Sequence, residues 1–315
     1  MVVDIRSQKW KRQVMKKTKF NPVVVCDPET LTRAEWLKMR RNGLGGSDAG
    51  VALGCNPWSS PLLLYLEKKK GVSMNVSGPA IDAGNMLESL VIDQTKTLRP
   101  DYVRHTNSLP MMQHPEHEFM LATPDAGAYG TKHGEGLIEA KTALSFYGAA
   151  SWNEGIPAQY RAQCVHYMAV TGRPWCIIVC FAAGPRWHHH LILREEDEVQ
   201  ELIEAEKKLW AAICEDDFDF LIDGSDATKN ALNMMHEAAD EELPDLDLRE
   251  NERAQKMLCQ YLKMKDWEKA INEDKKESEN ALKKMLGDHE TAWCDGYRIN
   301  WKNTARGRRF TVKKG

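Results

Sequence analysis

Asp125, Glu139 and Lys141 carry the chain's strongest chemical signal, set in Thr123-Pro124-Asp125 and Leu137-Ile138-Glu139-Ala140-Lys141. Side chains alternate between the faces of an extended strand, so Glu139 and Lys141 share one face and Ile138 and Ala140 the other. Asp125 ends the apolar run Phe119-Met120-Leu121-Ala122. A hairpin between that run and residues 136–142, across a glycine-rich turn (Gly127, Gly130, Gly134, Gly136), would bring it alongside. Two neighbouring carboxylates repel unless a cation sits between them. A site of oxygen ligands suits Mg²⁺, with Mn²⁺ as a substitute. A lysine beside it orients a water and offsets charge growing on a phosphate. The chemistry implied is metal-assisted phosphodiester hydrolysis. Glu-x-Lys alone is ordinary in a chain with 28% charged residues, where it is more often a solvated strand edge, so its surroundings have to decide.

A second constellation is Arg40-Arg41-Asn42-Gly43-Leu44-Gly45-Gly46-Ser47-Asp48. Glycines let backbone amides approach an anion, and a helix starting near Ser47 adds donors and a favourable dipole. Arg40 or Arg41 supplies a planar fork for phosphate, and the spacing to Ser47 tolerates either. The plainer alternative is a helix–helix turn capped by Ser47 or Asp48. Glu88 has apolar neighbours in Leu87, Leu90 and Val91, which places it near a buried side where a charge needs a partner such as a metal; otherwise it is an exposed helical glutamate. Gln163 is suited to hold a water or a phosphate oxygen, or else lies on a helix surface. In His188-His189-His190 only the first and third share a strand face, and no further ligand has telling spacing. A structural or solvent-facing strand is favoured over a metal box. Trp36, Trp58, Trp152, Trp175 and Trp187 read as core or interface, and Lys68-Lys69-Lys70 as a solvated helix end.

These residues need elements to position them. With 315 residues, 42% hydrophobic, the chain can build one large domain plus an appendage. An irregular arm covers 1–30; its basic residues have no apolar stretch behind them, so it is no secretory signal. Thr32 and Glu35 form a capping box opening a helix that stops near Gly43, and Ser60-Pro61 starts another. A helix covers 80–98, strands 102–109, 118–123 and 136–142, a helix 157–171, and strands 175–182 and 187–194. The continuous apolar run 175–182 reads as a strand buried on both faces. A helix follows over 195–222. This order predicts an α/β core with a mixed central sheet flanked by helices, over residues 31–225. An acidic linker is expected over 226–247. In the C-terminal region, 248–315, a long charged helix (248–286) precedes a hairpin at Asp295-Gly296 and a basic tail. The seam Met257, Tyr261, Met264, Ile271, Leu282 and Met285 is interrupted by Glu268, Lys275 and Ser278. It reads as a helix packing on its own domain or a partner rather than a free coiled coil. Eight scattered cysteines with no CxxC pair point to reduced thiols and a cytoplasmic protein, and no stretch is apolar enough to cross a membrane. A net charge of −3 leaves any nucleic-acid contact to local basic patches and metal ions.

Taken in order, Trp36 to Arg40, Gly45 to Asp48, Gly84 to Glu88, Thr123 to Asp125, Glu139 to Lys141 and Gln159 to Tyr167 resemble the YqaJ-type viral recombinases. These phage alkaline exonucleases are related to lambda exonuclease, within the PD-(D/E)xK nuclease superfamily. The resemblance spans roughly residues 31–222, and more weakly Gly296 to Lys302. It implies a restriction-endonuclease-like core and Mg²⁺-dependent 5′-to-3′ digestion of linear double-stranded DNA. A single-strand annealing protein is the implied partner, and a trimer around DNA the implied assembly. By position, Asp125, Glu139 and the Ala140 carbonyl would be metal ligands, and Lys141 would place the attacking water. Glu88 and Gln163 would support metal or water, and Arg40 (or Arg41) with Ser47 would bind the terminal 5′-phosphate. The alternatives are a restriction-like endonuclease of the same superfamily and a non-catalytic DNA-binding protein retaining the fold.

Overall fold

Strand Trp175–Ala182 is the hinge of the architecture, because both its faces have to be covered. A computed structural model of the chain describes residues 21–27, 30–72, 78–106, 109–238 and 242–315. The chain divides into two compact units, 1–238 and 239–315.

In the first unit the order is β1 (Val23–Cys26), α1 (Arg33–Arg40), β2 (Leu44–Gly45), α2 (Gly46–Ala52), α3 (Pro61–Tyr65) with a wide π turn over Leu66–Lys70, and α4 (Pro79–Leu98). Then come β3 (Tyr102–Thr106), β4 (Met111–Gln113), β5 (Met120–Ala122), β6 (Ala126–Gly130), β7 (Gly134–Ala143), α5 (Phe146–Ala150) and α6 (Ala158–Thr171). β8 (Trp175–Ala182), β9 (Arg186–Leu193), α7 (Glu196–Glu215), α8 (Phe218–Leu221) and α9 (Asp226–Met235) complete it. The starts follow local chemistry: Thr32 and Glu35 form their capping box on α1, and the Ser60 hydroxyl accepts from the Leu63 amide ahead of Pro61.

The central sheet runs β3-β6-β7-β8-β9 and is mixed, with β7 and β8 parallel and the other pairs antiparallel. The parallel pair requires a crossover, which carries α6. Leu137, Cys176, Ile178 and Cys180 pack into one core with residues of α6 and α7. Ile138, Ile177 and Val179 pack into another with Val91 and Ile92 of α4. The α/β core with a mixed sheet flanked by helices is thus present, and β8 is buried on both faces as its apolar run predicts.

The hairpin differs from expectation. Residues 120–122 do not pair with β7; they join a separate sheet of order β1-β4-β5-β2. The strand opposite β7 is β6, in the segment read as a turn, with Ala126 opposite Ile138 and Gly130 opposite Gly134. Its glycines mark close packing. A Cβ on Gly130 would lie 2.5 Å from the Tyr102 ring, and one on Gly136 2.1 Å from the Trp175 ring.

Other boundaries move for similar reasons. Val23–Cys26, inside the expected irregular arm, pairs with β4, while residues 1–20 of that arm lie outside the described residues. Asn107 and Ser108, expected in the strand 102–109, also lie outside them. The expected linker contains α9, capped by Ser225 and burying Thr228 and Ala231, while Asp240 and Glu241 lie outside the described residues. The helix expected over 195–222 stops at Asp216, which adopts a positive φ of 57°.

In the second unit α10 (Glu252–Leu286) precedes three antiparallel strands, β10 (Thr291–Cys294), β11 (Tyr297–Thr304) and β12 (Gly307–Lys314). The expected basic tail is therefore sheet, not a loose end. Arg308 stacks on Trp301 at 3.7 Å and donates to the Gly287 and His289 carbonyls, tying the end of α10 to the sheet. Met257, Tyr261, Met264, Ile271 and Met285 of the expected seam are exposed, so no packing of α10 on its own domain covers these five.

One buried pair locks α6 in place. His166 on α6 meets Glu206 of α7 at 2.8 Å through Nδ1 and the Leu121 carbonyl of β5 at 2.9 Å through Nε2. With Glu206 ionised both ring nitrogens donate, although burial raises the Glu206 pKa as well. Burial opposes the resulting charge, but Glu206 outweighs it and the His166 pKa is raised. Glu206→Ala leaves that charge buried alone and is expected to destabilise the protein by about 3–5 kcal/mol in urea unfolding. A raised folded pKa stabilises fully below about pH 6.5 and is lost as pH rises through the folded value, so the deficit should shrink at alkaline pH.

Candidate active site

Glu139 points from β7 into the core shared with α6, and only 1% of its surface is exposed. Its Oε1 accepts from Lys141 Nζ at 2.5 Å and from Gln163 Nε2 at 2.6 Å. Its Oε2 is buried with no donor among the described residues. Asp125 immediately precedes β6 and reaches the same place, where Oδ2 accepts from the Ala140 amide at 2.8 Å. The approach comes from the β6–β7 pairing rather than from the hairpin expected with residues 118–123. Burial, then repulsion from Asp125, pushes Glu139 up to about 8 despite the opposing Lys141. Burial works against the charge on Lys141, but Glu139 and Asp125 outweigh it and hold the ammonium protonated well above its ordinary range. Two carboxylates thus share one lysine, and the surplus charge is relieved by a proton on Glu139 or by a second cation.

That donor set fits a hard divalent cation. An unpartnered buried carboxylate oxygen is costly, and a metal removes the cost. Among the described residues no three His, Cys, Asp or Glu side chains are grouped to hold a metal by themselves. The Asp125–Glu139 pair would need waters or phosphate oxygens to complete the shell, which is the habit of Mg²⁺.

Glu88 differs from expectation. The buried face of α4 is made by Val91, Ile92 and Thr95, and Glu88 lies on the exposed side. Its carboxyl still stands at the margin of the cluster: burial and then Asp125 raise its pKa, while Lys141 lowers it. Beyond Lys141 lies an aromatic ladder, with Tyr160 at 5.3 Å from Nζ, then Trp152 on one side and Trp58 on the other. Trp58, read as core or interface, is 63% exposed, whereas Trp152 and Trp175 are buried. His188 and His190 rest against Trp152.

In the second constellation the two arginines diverge by helical geometry. Adjacent residues on α1 point about 100° apart, so both cannot face Ser47. Arg40 Nη2 donates to Ser47 Oγ, whereas Arg41 donates to the Gly71 carbonyl at 3.2 Å. Asp48, expected at most as a cap, is the buried centre of this cluster. Its Oδ2 accepts from the Gly45 amide at 2.9 Å and from Lys68 Nζ at 2.9 Å, and Arg40 stands 3.6 Å from Oδ1. Lys68 is therefore no solvated helix end: its side chain is 1% exposed, and it also donates to the Arg40 carbonyl at 3.3 Å. The π turn over 66–70 shifts the helical phase, so that Leu66 and Lys68 are both buried. Burial alone would raise Asp48; Lys68 and then Arg40 outweigh it and hold it down at about 2.

Tyr167 joins the two constellations and was missed in the sequence. Its hydroxyl accepts from Gln163 Nε2 at 3.0 Å, and its ring lies where a Cβ on Gly46 would come within 2.4 Å. Its local signal was its position four residues after Gln163, on the same helix face and at the end of the family-like stretch Gln159 to Tyr167.

Residues 35–174 match the YqaJ-like viral recombinase domain, a span that contains Arg40, Ser47, Glu88, Asp125, Glu139, Lys141 and Gln163. The YqaJ protein of Bacillus subtilis (strain 168) is 30% identical over 295 residues, covering 92% of this chain and 89% of that one. The chain belongs to the YqaJ-like viral recombinase family. Among solved structures it is similar to an alkaline exonuclease (LHK-Exo) from Laribacter hongkongensis, at TM-score 0.48 and 19% identity over 64% of this chain and 100% of that one. It is also similar to a phage-related exonuclease from Haemophilus somnus 129PT, at TM-score 0.40 and 14% identity over 55% and 96% of the two chains.

The Asp48 cluster has a measurable signature. Asp48→Asn is expected to destabilise the protein by ~2 kcal/mol at pH 7, the equivalent of the displacement from 3.8 to about 2. A depressed carboxylate pKa stabilises above the unfolded value and ceases to do so as pH falls through the folded one. The gap between variant and parent in urea unfolding should therefore narrow below about pH 4.

Proposed function

We propose that the chain is a Mg²⁺-dependent deoxyribonuclease, a 5′-to-3′ exonuclease of linear double-stranded DNA that leaves 3′ single-stranded tails for recombination by annealing. The observation that carries this reading is the unpartnered Glu139 Oε2, buried beside Asp125 while Lys141 and Gln163 hold the other oxygen. Membership of a family named for viral recombination supplies DNA as the substrate.

Asp125, Glu139 and the Ala140 carbonyl are the residues that would hold the metal, with Glu88 at its margin. When bound, such an ion polarises the scissile phosphate and lowers the pKa of a water. Lys141, kept cationic by Glu139, orients the attacking water and offsets charge on the phosphate. Gln163 fixes the Glu139 rotamer. Arg40 and Ser47 receive the terminal 5′-phosphate, with Asp48 and Lys68 setting their geometry. Arg40 is preferred to Arg41 for this cradle, since Arg41 donates to the Gly71 carbonyl instead. A single-strand annealing protein is the partner, the assembly a trimer around DNA, and the compartment the cytoplasm of a bacterial host. Among the described residues no helix is long and apolar enough to cross a membrane.

Lys141→Ala should slow digestion of a linear duplex by about 100-fold or more while duplex binding persists; an active variant overturns the catalytic assignment. A covalently closed circle should survive intact, whereas nicking it would identify an endonuclease. Equal rates on duplexes with 5′-phosphate and 5′-hydroxyl ends would remove the roles of Arg40 and Ser47. Because Glu139 sits near 8 without metal, Mg²⁺ binding at pH 7 should release a proton. Calorimetry in buffers of different ionisation heat should show that release disappear as pH passes about 8, and Asp125→Ala should abolish the binding itself.

A further inference from the structure

The second unit carries a charge pattern that the candidate site does not use. In the β11–β12 pairing Arg298 stands directly opposite Lys313, Asn300 opposite Thr311, and Lys302 opposite Arg309. Residues opposed in an antiparallel pair share a face. One face of this small sheet therefore carries two like-charge pairs separated by a polar pair. The four cations are exposed, make no ion pair among the described residues, and have no acidic residue on their face. The other face is apolar at its centre, with Ile299 opposite Val312 and Trp301 opposite Phe310, and Lys283 of α10 lies over the Phe310 ring. The alternation of strands β11 and β12 has thus sorted all four charges to one side.

Like charges placed directly opposite each other weaken a sheet. A solubilising surface would interleave signs. The two cation pairs are about 14 Å apart along the strands, four residues at about 3.4 Å each. Between them lie only Asn300 and Thr311, which are short and able to hydrogen-bond. These residues line a shallow groove that matches a phosphate backbone in charge. It lacks the run of aromatic rings that a single strand needs for its bases: Trp293, at the edge, already carries Arg298 at 5.8 Å.

We propose that the Arg298–Lys302–Arg309–Lys313 face of the C-terminal sheet binds the backbone of duplex DNA independently of DNA ends. The choice of DNA rests on the reading of the first unit. A binding surface in the same chain raises the local concentration of duplex available to the nuclease unit, a gain that tethering alone provides. Four phosphate contacts predict a dependence of log K on log salt with a slope of about −3.6 from this face.

The test uses the full chain in EDTA, without cleavage, and a short duplex closed by a hairpin at each end, so that no terminus is present. Anisotropy titrations from about 50 to 200 mM NaCl compare the parent with R298Q/K302Q/R309Q/K313Q and with a control that removes the same charge from α10, K256Q/K263Q/K269Q/K276Q. The sheet variant should bind at least about tenfold more weakly and lose about 3.6 units of slope, and the control should behave as the parent. Removing like-charge pairs should leave the thermal transition unchanged or raise it. If the sheet variant instead unfolds early, Lys302→Gln and Lys313→Gln singly, each costing about 0.9 of slope, carry the same test. Unchanged affinity and slope in the sheet variant, or an equal loss in the control, overturns the proposal. Failure of the nuclease reading shows separately, as absence of digestion by the parent in Mg²⁺ with end-free binding intact.

Discussion

The site depends on a carboxylate that is satisfied on one side only. Glu139 is carried by a strand whose neighbours are buried, and Lys141 and Gln163 hold its Oε1 from two elements. Its Oε2 has no donor among the described residues, and Asp125 approaches with a second negative charge. In water such an arrangement would relax. Here β6, β7 and β8 lock the backbone in register and α6 closes over the glutamate. The surplus charge of two carboxylates beside one lysine can be relieved by a proton or by a second cation.

Around it the protein spends buried charge on geometry. Asp48–Lys68 and His166–Glu206 are two further buried pairs, each spanning separate elements. Such pairs add little net stability over apolar packing, yet losing one member is severe. Their effect is positional: Asp48 and Lys68 hold the backbone and side chain of Arg40, and His166 holds the helix that presents Gln163 and Tyr167. Tyr167 then passes from one constellation to the other, its hydroxyl on Gln163 and its ring on Gly46. Gly46 is required because any side chain there would enter the ring.

Much of the core was legible because apolar periodicity and caps are local signals. The run 175–182 is β8 to the residue, and the Thr32–Glu35 box opens α1. Glu139 and Lys141 share a face as strand alternation requires. The segment 126–130 was not legible: its alanines and glycines look like a turn until the rings of Tyr102 and Trp175 are known to press on the sheet. Nor was Lys68, one of three successive lysines whose separation into buried and exposed members depends on a π turn. Glu88 was placed by apolar neighbours that face elsewhere, since its own turn of α4 leaves it on the open side. In the second unit, alternation in the basic segment would have sorted the charges had the segment been read as strand rather than tail.

Sequence alone determined which residue types were available and at what local spacing: an aspartate, a Glu-x-Lys, a glutamine four residues before a tyrosine, and an arginine pair before Gly-Gly-Ser-Asp. It also determined the family, since those motifs occur in a characteristic order. Only the tertiary structure decided which arginine faces Ser47, which strand delivers Asp125, and which lysine neutralises Asp48. Those choices follow from sheet register, helical phase and desolvation, and each of these depends on residues distant in the chain.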